Sequence, residues 1–499
     1  MASLFPKANR FHLLVAVCMQ FSLFFATQMI FPIFSSYVPQ WRCTNSNSSS
    51  SFYLSDASNS FGRDCKAFQE CSAPNSIQFE HIYFESAALE FDWICGSRAY
   101  LATLFAQIQF IGVLIGIICF ATLSDHIGRL SPTWKVLFAC RFCVGLSIGG
   151  LTAVKTYVME MVLPEQRIAL RALFNWGNAR IMLTLICYLF PNWRVASFIC
   201  AACSLPTLFL MLFVFPESTI WLHHKGKLEQ MRANERRVAK IAGVKYQEVQ
   251  HDPIGKQYSF LELVKNREFM HRIGVLWVMW FAASVSSYGI DLNSSRIVGN
   301  LFLNQALFAI LIAFSKTEYF PSYFFLFIFP STLLIPFDAF NFNRRNLHQC
   351  AQVGMVTCFL VLTSLTLFEE QGVSILIVNL LGVVFIEYSW DGCNLCAVES
   401  MPTEMRATAL GMCSLVARVG AILSPMLAFM NTVWAPSAYL TVAFAGSISL
   451  FVSCLWLVDT RGVNLDKVEF EDEKVPDSSN DSVRIGEEKS SFLESKNNA

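Results

Sequence analysis

The chain has 499 residues, of which 54% are hydrophobic and 15% are charged. Soluble proteins carry roughly 25% charged residues, so the composition excludes an ordinary soluble domain and indicates a membrane protein. Lys and Arg together number 37, as do Asp and Glu, and this balance gives no electrostatic support to a nucleic-acid partner.

Apolar runs occur along most of the chain, and many approach the roughly 20 residues that an α-helix needs to cross a bilayer. The first run follows Lys7 and Arg10 as the core of a signal peptide would. It is too long for such a core and lacks a clear cleavage site, so we expect a retained helix. Together the runs predict an all-α, multi-pass membrane protein with about 11–12 transmembrane helices. They lie at 11–34, 101–123, 134–156, 172–190, 195–215, 273–290, 299–315, 319–338, 350–368, 373–395, 407–430 and 438–458.

A polar, acidic segment, 35–100, joins the first two runs, and we interpret it as an external loop. Four cysteines in one loop of an oxidising compartment predict two disulfides, for which three pairings are possible. Asn47 begins the sequence Asn-Ser-Ser, which is an acceptor for N-linked glycosylation. The cysteines are Cys43, Cys65, Cys71 and Cys95.

The segment 223–272 has the opposite charge, with eleven Lys and Arg against six Asp and Glu. By the positive-inside rule it is a cytoplasmic central loop. It separates an N-terminal transmembrane half, 1–222, from a C-terminal transmembrane half, 273–458. Residues 228–241 have the composition of a solvent-exposed helix. The acidic, serine-rich tail, 459–499, is predicted to be cytoplasmic and disordered.

One charged pattern occurs at equivalent places in the two halves. It runs from Glu160 to Arg167 and again from Glu399 to Arg406, each time as E-x4-E-x-R after a long apolar run. Duplicated halves with a charged signature at one membrane face are typical of transporters built from repeats.

The order of the charged loops predicts that one helix is missing from the first half. The segment around Asp125 and Arg129 and the first copy of the repeat both look cytoplasmic, so an even number of crossings must separate them. Only eleven residues lie between Arg129 and Arg141, whereas one span needs about 20. The N-terminal half is therefore predicted to lack its third helix.

The second half needs one crossing fewer than its apolar runs suggest. We interpret residues 315–338, which contain three prolines, as an irregular insertion around a single crossing. The loops that follow then alternate correctly. Asn293, which begins a second Asn-Ser-Ser, becomes an external glycosylation site.

Four segments resemble motifs of one transporter family. Leu123–Arg129 is similar to the loop motif after the second helix, Arg141–Gly145 to the fourth-helix motif, and Pro216–Leu222 to the PESPRWL segment. Glu399–Arg406, followed by Arg418, is similar to the region between the tenth and eleventh helices. In order and spacing the chain resembles the major facilitator superfamily and, within it, the organic cation/anion/carnitine transporter family. This resemblance implies a major facilitator fold of two pseudo-symmetric helical halves.

Inserting a charged residue at the centre of a transmembrane helix costs about 2.5–3.5 kcal/mol, so charged residues within spans are candidate functional residues. Arg418 lies near mid-membrane. The resemblance implies that this position faces the central cavity, where anion and carnitine carriers tend to have arginine. A guanidinium there would pair with a substrate carboxylate; the alternative is an internal salt bridge with Glu387 or Asp391. Trp280 and Tyr288 would supply cavity aromatics, with core or lipid-facing packing as the alternative.

Six charged residues at cytoplasmic helix ends are candidate gating residues. There they can form interhelical ion pairs that break as the halves rock. The alternative is simple positive-inside anchoring. They are Asp125, Arg129, Glu160, Arg167, Glu399 and Arg406.

The glycine-rich fourth helix contains another charge, Arg141. Small residues such as Gly145 allow close helix packing, so we expect Arg141 and Gly145 to have structural roles rather than to contact substrate. Lys155 and Arg180 lie near other spans, and we expect both side chains to extend their charges to a membrane interface.

These features predict a plasma-membrane carrier of small organic ions, and Arg418 favours organic anions or zwitterions such as carnitine. The alternatives are an organic cation transporter and a non-transporting membrane sensor or binding relative. The sequence has no HExxH, GxSxG or P-loop motif, so we expect no enzyme activity, no metal site and no cofactor. The expected partners are the small organic ion and the lipid bilayer, without nucleic acid. The sequence predicts no oligomeric state.

Overall fold

The computed structural model describes residues 9–43, 63, 65, 77–118, 134–160, 174–246, 248, 267–297, 299–315, 344–368, 372–401 and 403–457. The helices of the first half and central segment are α1 (Arg10–Ala26), α2 (Pro32–Ser35), α3 (Ala87–Glu90), α4 (Tyr100–Ile118), α5 (Trp134–Glu160), α6 (Trp176–Leu189), α7 (Trp193–Phe209), α8 (Thr219–His224) and α9 (Leu228–Ala242). Those of the second half are α10 (Arg267–Asn293), α11 (Leu301–Ser315), α12 (Arg344–Leu367), α13 (Val373–Glu399), α14 (Thr403–Val433) and α15 (Ser437–Trp456). Strands β1 (Trp41–Cys43) and β2 (Ile77–Phe79) form a small antiparallel sheet.

The long helices form two groups of unequal number. In the described ranges, five lie before the central segment (α1 and α4 to α7) and six lie after it (α10 to α15). Residues 119–133, between α4 and α5, lie outside the described residues. Seven helical segments of the described residues are long and apolar enough to cross a membrane. The predicted fold class, an all-α membrane protein with many spanning helices, is confirmed. The missing third helix of the N-terminal half stays a prediction.

Glycines bring α4 and α5 into direct backbone contact. A Cβ at Gly145 of α5 would lie 2.1 Å from the carbonyl oxygen of Gln109, and a Cβ at Gly112 of α4 would lie 2.3 Å from that of Phe142. A larger residue at either position would force the backbones apart, because real Cβ atoms do not approach so closely. The second and fourth helices expected from the sequence therefore pack directly against each other.

The first span is interrupted rather than continuous. Pro32 has no N–H to donate to the carbonyl of Gln28 four residues earlier, so an α-helix cannot continue through this point. The chain instead forms a 3-10 turn over Thr27–Met29 and resumes as α2. The interruption places the side chain of Met29 against the C-terminal half.

The central segment contains the solvent-exposed helix expected from its composition. Only Met231 and Ala242 are buried among the 15 residues of α9. The helix ends at Gly243, whose φ of +74° is the left-handed conformation common after a helix C-terminus. The last residues of this predicted segment are helical, because α10 begins at Arg267.

The described part of the external loop packs on the N-terminal half. Trp93 is 1% exposed and contacts the rings of Phe105 on α4 and Phe138 on α5. Cys65 and Cys95 form a disulfide with their Cα atoms 5.4 Å apart. The side chains of Cys43 and Cys71 lie outside the described residues.

The two halves meet mainly along the pairs α4–α14 and α6–α11. We call the end of the bundle that carries β1, β2 and α3 the loop face. At this face, Phe302 of α11 stacks on Phe34 of α2 with ring centroids 6.1 Å apart. Tyr188 of α6 contacts the ring of Phe302 edge-on, with centroids 5.4 Å apart. At the opposite face, the described part of the buried cluster around Met279 and Cys413 contains residues of the C-terminal half alone. The halves also meet at the other end of the α6–α11 pair, where Asn175 Nδ2 donates to the carbonyl of Ala313 at 3.2 Å.

Candidate functional site

Arg418 lies at the middle of α14, a helix of 31 residues, and contacts both halves. Its Nη1 donates to Tyr288 Oη at 3.3 Å and lies 3.5 Å from Met29 Sδ. Tyr288 Oη lies 3.7 Å from the same sulfur. We call Arg418, Tyr288, Met29 and the adjoining Phe110 the Arg418 cluster. Phe110, from α4, contacts the ring of Tyr288 edge-on at 5.1 Å.

The charge of Arg418 is not neutralised by any ion pair that the structure describes. Its Nε is buried and has no hydrogen-bond partner. A buried N–H without an acceptor costs free energy, roughly 1–3 kcal/mol or more for a charged group. The cluster therefore offers a guanidinium donor to an incoming acceptor, beside the aromatic rings of Tyr288 and Phe110.

Two glutamines on the N-terminal half also carry free polar groups, and the sequence analysis did not select them. Gln109 Nε2 donates to the backbone carbonyl of Gln28 at 2.7 Å. Gln109 Oε1 and Gln28 Nε2 are buried without hydrogen-bond partners. Their neighbours in the chain, Phe110 and Met29, belong to the Arg418 cluster. The sequence did contain a signal for them, because Gln28 and Gln109 each place a polar amide within an apolar run.

The other predicted substrate residues lie within the C-terminal half. Trp280 Nε1 donates to the carbonyl of Cys393 at 3.3 Å, and its ring meets that of Trp390 edge-on at 5.5 Å. Trp280 thus packs α10 against α13. Glu387 and Asp391 both lie on α13, and only 9% of Glu387 is exposed. The structure brings Arg418 together with Tyr288 and not with these acids.

Arg141 is buried between aromatic rings on the N-terminal half. Its guanidinium carbon lies 4.6 Å from the ring centroid of Phe31 and 4.9 Å from that of Phe105. Such cation–π contacts stabilise a desolvated guanidinium by about 2 kcal/mol or more. One turn further along α5, Gly145 makes the close contact with α4 described above. Both positions have the geometry of packing residues.

The expectation for Arg180 was wrong, because its charge does not extend to a membrane interface. Only 1% of the Arg180 side chain is exposed, and it forms an ion pair with Asp291 at the end of α10. Gln305 Oε1 accepts from Arg180 Nη2, and Gln305 Nε2 donates to Ser294 Oγ at 2.8 Å. This network connects α6 of the first half to α10 and α11 of the second.

The predicted gating residues are only partly within the described structure. Asp125, Arg129 and Arg167 lie outside it, as does the side chain of Glu160, the last residue of α5. Glu399 ends α13, and Arg406 Nη2 donates to the carbonyl of Met401 at 3.4 Å. In this conformation Arg406 thus binds a free carbonyl in the turn after α13, where a positive charge is favourable.

The predicted glycosylation site Asn293 is not accessible in this conformation. Asn293 is the last residue of α10 and is only 2% exposed. Its Oδ1 accepts a hydrogen bond from Asn431 Nδ2 at 2.6 Å. Glycosylation at Asn293 stays a prediction. The other candidate, Asn47, lies outside the described residues.

Comparisons with known proteins agree on one family. The model of the sugar (and other) transporter family matches residues 95–471. An uncharacterized protein of Caenorhabditis elegans is 33% identical and covers 92% of this chain and 94% of its own length. A protein of Xenopus laevis named solute carrier family 22 member 15-like is 26% identical over 73% of this chain and 77% of its own. The inward-open structure of the xylose transporter XylE from E. coli covers 91% of this chain and 97% of its own, with 14% identity and a TM-score of 0.54.

The alignment with the C. elegans protein also bears on the unequal halves. The alignment has 496 positions, which exceeds the number of residues in the 92% of this chain that it covers. The relative therefore has residues at positions where this chain has none. This difference is in the direction expected if the chain lacks a helix that its relatives contain.

Proposed function

Because the chain belongs to the sugar (and other) transporter family of the major facilitator superfamily, with members of solute carrier family 22 among its relatives, we propose that it carries a small organic anion or zwitterion across the plasma membrane. Carnitine is an example of such a zwitterion. The resemblance inferred from the motifs is confirmed by these relatives. The chain is a multi-pass membrane transporter of the organic-ion type and not an enzyme.

The observation that carries the proposed substrate class is the uncompensated charge of Arg418. A guanidinium binds a carboxylate through two parallel hydrogen bonds, and such bonds are strong where water is excluded. Tyr288 and Phe110 add aromatic surface, which attracts the ammonium group of a zwitterion. A cationic substrate would meet an unpaired positive charge in the same place.

The contacts between the halves support transport by alternating access. The halves are joined at the loop face by aromatic stacking and by the Arg180 network. The Arg418 cluster lies in the middle of the bundle and includes residues of both halves. Rocking of the halves about this position would expose the cluster to each side in turn.

Uptake into cells that express the chain tests the substrate class. Labelled glutarate, carnitine and tetraethylammonium represent an anion, a zwitterion and a cation, and cells with empty vector provide the background. We expect saturable uptake of glutarate or carnitine and none of tetraethylammonium. Saturable uptake of tetraethylammonium alone would support an organic cation transporter, with the partly buried Glu387 as the candidate acid.

A non-transporting binding protein is a second candidate, and the unequal halves favour it. In the described ranges, five long helices precede the central segment and six follow it. A first half that lacked one helix would form a different wall of the pathway from that of a symmetric transporter. A protein of this kind would reach the cell surface and be stabilised by glutarate or carnitine, but it would give no flux. Sequencing of the transcript around the codons for Arg129 and Ser131 tests the helix count, since a third span adds about 20 residues or more.

A further inference from the structure

A small cavity with a mixed polar and apolar lining lies between the external loop and the C-terminal half at the loop face. Its volume is about 50 Å³, and the two cysteines of the Cys65–Cys95 disulfide form part of its wall. The cavity lies on a boundary that moves if the halves rock. Its polar lining residues are Ser36 and Arg63 from the first half and Ser295, Arg296 and Thr432 from the second.

Arg63 is fixed beside this cavity by hydrogen bonds. Its Nη1 donates to the backbone carbonyl of Arg296 at 2.9 Å, and its guanidinium also hydrogen-bonds to Tyr37. Its Nε is buried and has no hydrogen-bond partner. Burial lowers the pKa of Arg63, because the charged form loses hydration. The side chain therefore keeps one buried donor without an acceptor.

Arg296 brings a second positive charge to the same wall. It forms no ion pair with any residue that the structure describes. Among the described residues, no acidic side chain lines the cavity. Glu80 is the acid whose charge reaches Arg63, and it is exposed. Two guanidinium groups in a partly desolvated space repel each other, so an anion in the cavity would stabilise both.

The volume of the cavity limits the kind of anion that fits. A water molecule occupies roughly 30 Å³, whereas pockets for organic ligands measure roughly 300–1,000 Å³. The described cavity of about 50 Å³ is far smaller than such pockets, which favours a small anion over an organic substrate.

We propose that Arg63 and Arg296 bind chloride, or a monovalent anion of similar size, between the external loop and the C-terminal half. Nearby hydroxyl groups of Ser295 and Thr432 complete the lining. The anion neutralises both arginines and holds the loop against the second half, so it stabilises the conformation that is closed at the loop face. This site is separate from the Arg418 cluster and does not depend on the proposed substrate.

Thermal unfolding of the purified full-length protein in detergent tests this site. Sodium chloride is compared with sodium gluconate at equal ionic strength, because gluconate is too large for the cavity. We expect the melting temperature to rise saturably with chloride, and with bromide, but not with gluconate. Arg296→Gln and Arg63→Gln should each abolish this rise. In gluconate, Arg296→Gln should melt at or above the wild-type temperature, because the repulsion is removed.

Arg345→Gln is the matched control, since Arg345 lies in the first turn of α12 and donates to the carbonyl of Cys454, away from the cavity. It should retain the full response to chloride. Equal melting temperatures of the wild-type protein in both salts would overturn the proposal. A chloride response that survives in both cavity variants would also overturn it. Loss of the response in Arg418→Gln alone would place the anion in the Arg418 cluster instead.

Discussion

Arg180 Nη1 lies 2.5 Å from Asp291 Oδ1, and this ion pair joins α6 of the N-terminal half to α10 of the C-terminal half. The two side chains are 1% and 8% exposed. Arg180 Nη2 also donates to Gln305 of α11 at 2.8 Å. Because both charges are desolvated, each residue leaves an uncompensated buried charge if the other is removed. The pair therefore holds the halves together at the side that carries the external loop.

Asp291→Asn is expected to destabilise the protein strongly, because it leaves the Arg180 guanidinium buried without its counter-charge. Breaking a buried pair in this way costs about 3–5 kcal/mol in soluble proteins. The measurement is the melting temperature of the detergent-solubilised protein. The double exchange Arg180→Asp with Asp291→Arg should recover part of the loss. Arg194→Gln, at a partly exposed pair with Glu90, is the control and should have a much smaller effect. An Asp291→Asn protein as stable as wild type would show that the pair contributes nothing.

Gly145→Ala is expected to reduce the yield of folded protein, because the new Cβ would lie 2.1 Å from the carbonyl oxygen of Gln109. Overpacking of this kind typically costs about 1–3 kcal/mol. Gly411→Ala provides the matched control, since Gly411 is also helical but a Cβ there meets no atom within 4 Å. Size-exclusion profiles of the two variants from equal cell mass would compare them. Equal profiles would contradict direct packing of α4 on α5.

Acid should weaken the contact between the external loop and α7 through Glu90. Its carboxylate accepts from Arg194 Nη2 at 2.5 Å and from Trp193 Nε1 at 2.7 Å. The hydrogen bond with Arg194 is the main reason why the pKa of Glu90 lies below its ordinary value of 4.5. A carboxyl whose pKa is lower in the folded state contributes stability above the unfolded pKa, and loses it as pH falls through the folded pKa.

The measurement for Glu90 is the melting temperature between pH 7 and about pH 3, a range that extends well below the unfolded pKa of the carboxyl. The wild-type protein should lose more stability over this range than Glu90→Gln, which has no carboxylate to protonate. The difference in melting temperature between the wild-type protein and Glu90→Gln should become smaller at the acidic end of this range. Parallel pH profiles would show that the Glu90 contact does not contribute.

The positions of the helices could be predicted from the sequence because apolar runs of membrane length are a local signal. The run at 373–395, for example, corresponds to α13 at Val373–Glu399. The prediction of a missing third helix came from counting crossings, which also needs only local charge and length. Boundaries were less accurate, as at Arg267, because polar residues continue the helix beyond the apolar run.

Contacts between distant segments could not be predicted in the same way. Arg180 and Asp291 are 111 residues apart, and nothing near either residue indicates the other. The glycosylation motif at Asn293 is defined by three consecutive residues, and these do not indicate whether the asparagine is buried. Arg418 was selected because a charge within a span is costly, but its neighbours depend on how the two halves pack. Its contact with Met29 follows from the turn that Pro32 imposes.

The most direct test of this account is the effect of Arg418 on the charge of the transported substrate. Initial uptake rates of glutarate, carnitine and tetraethylammonium would be compared in Arg418→Gln, Arg418→Lys and the control Arg345→Gln, at equal amounts of surface protein. Loss of a charged hydrogen bond costs about 1.5–3 kcal/mol, so we predict that Arg418→Gln lowers anion or zwitterion uptake by about tenfold to a hundredfold. Arg418→Lys should retain part of the rate, and Arg345→Gln should resemble wild type. An Arg418→Gln protein with unchanged rates and unchanged charge preference would contradict the account.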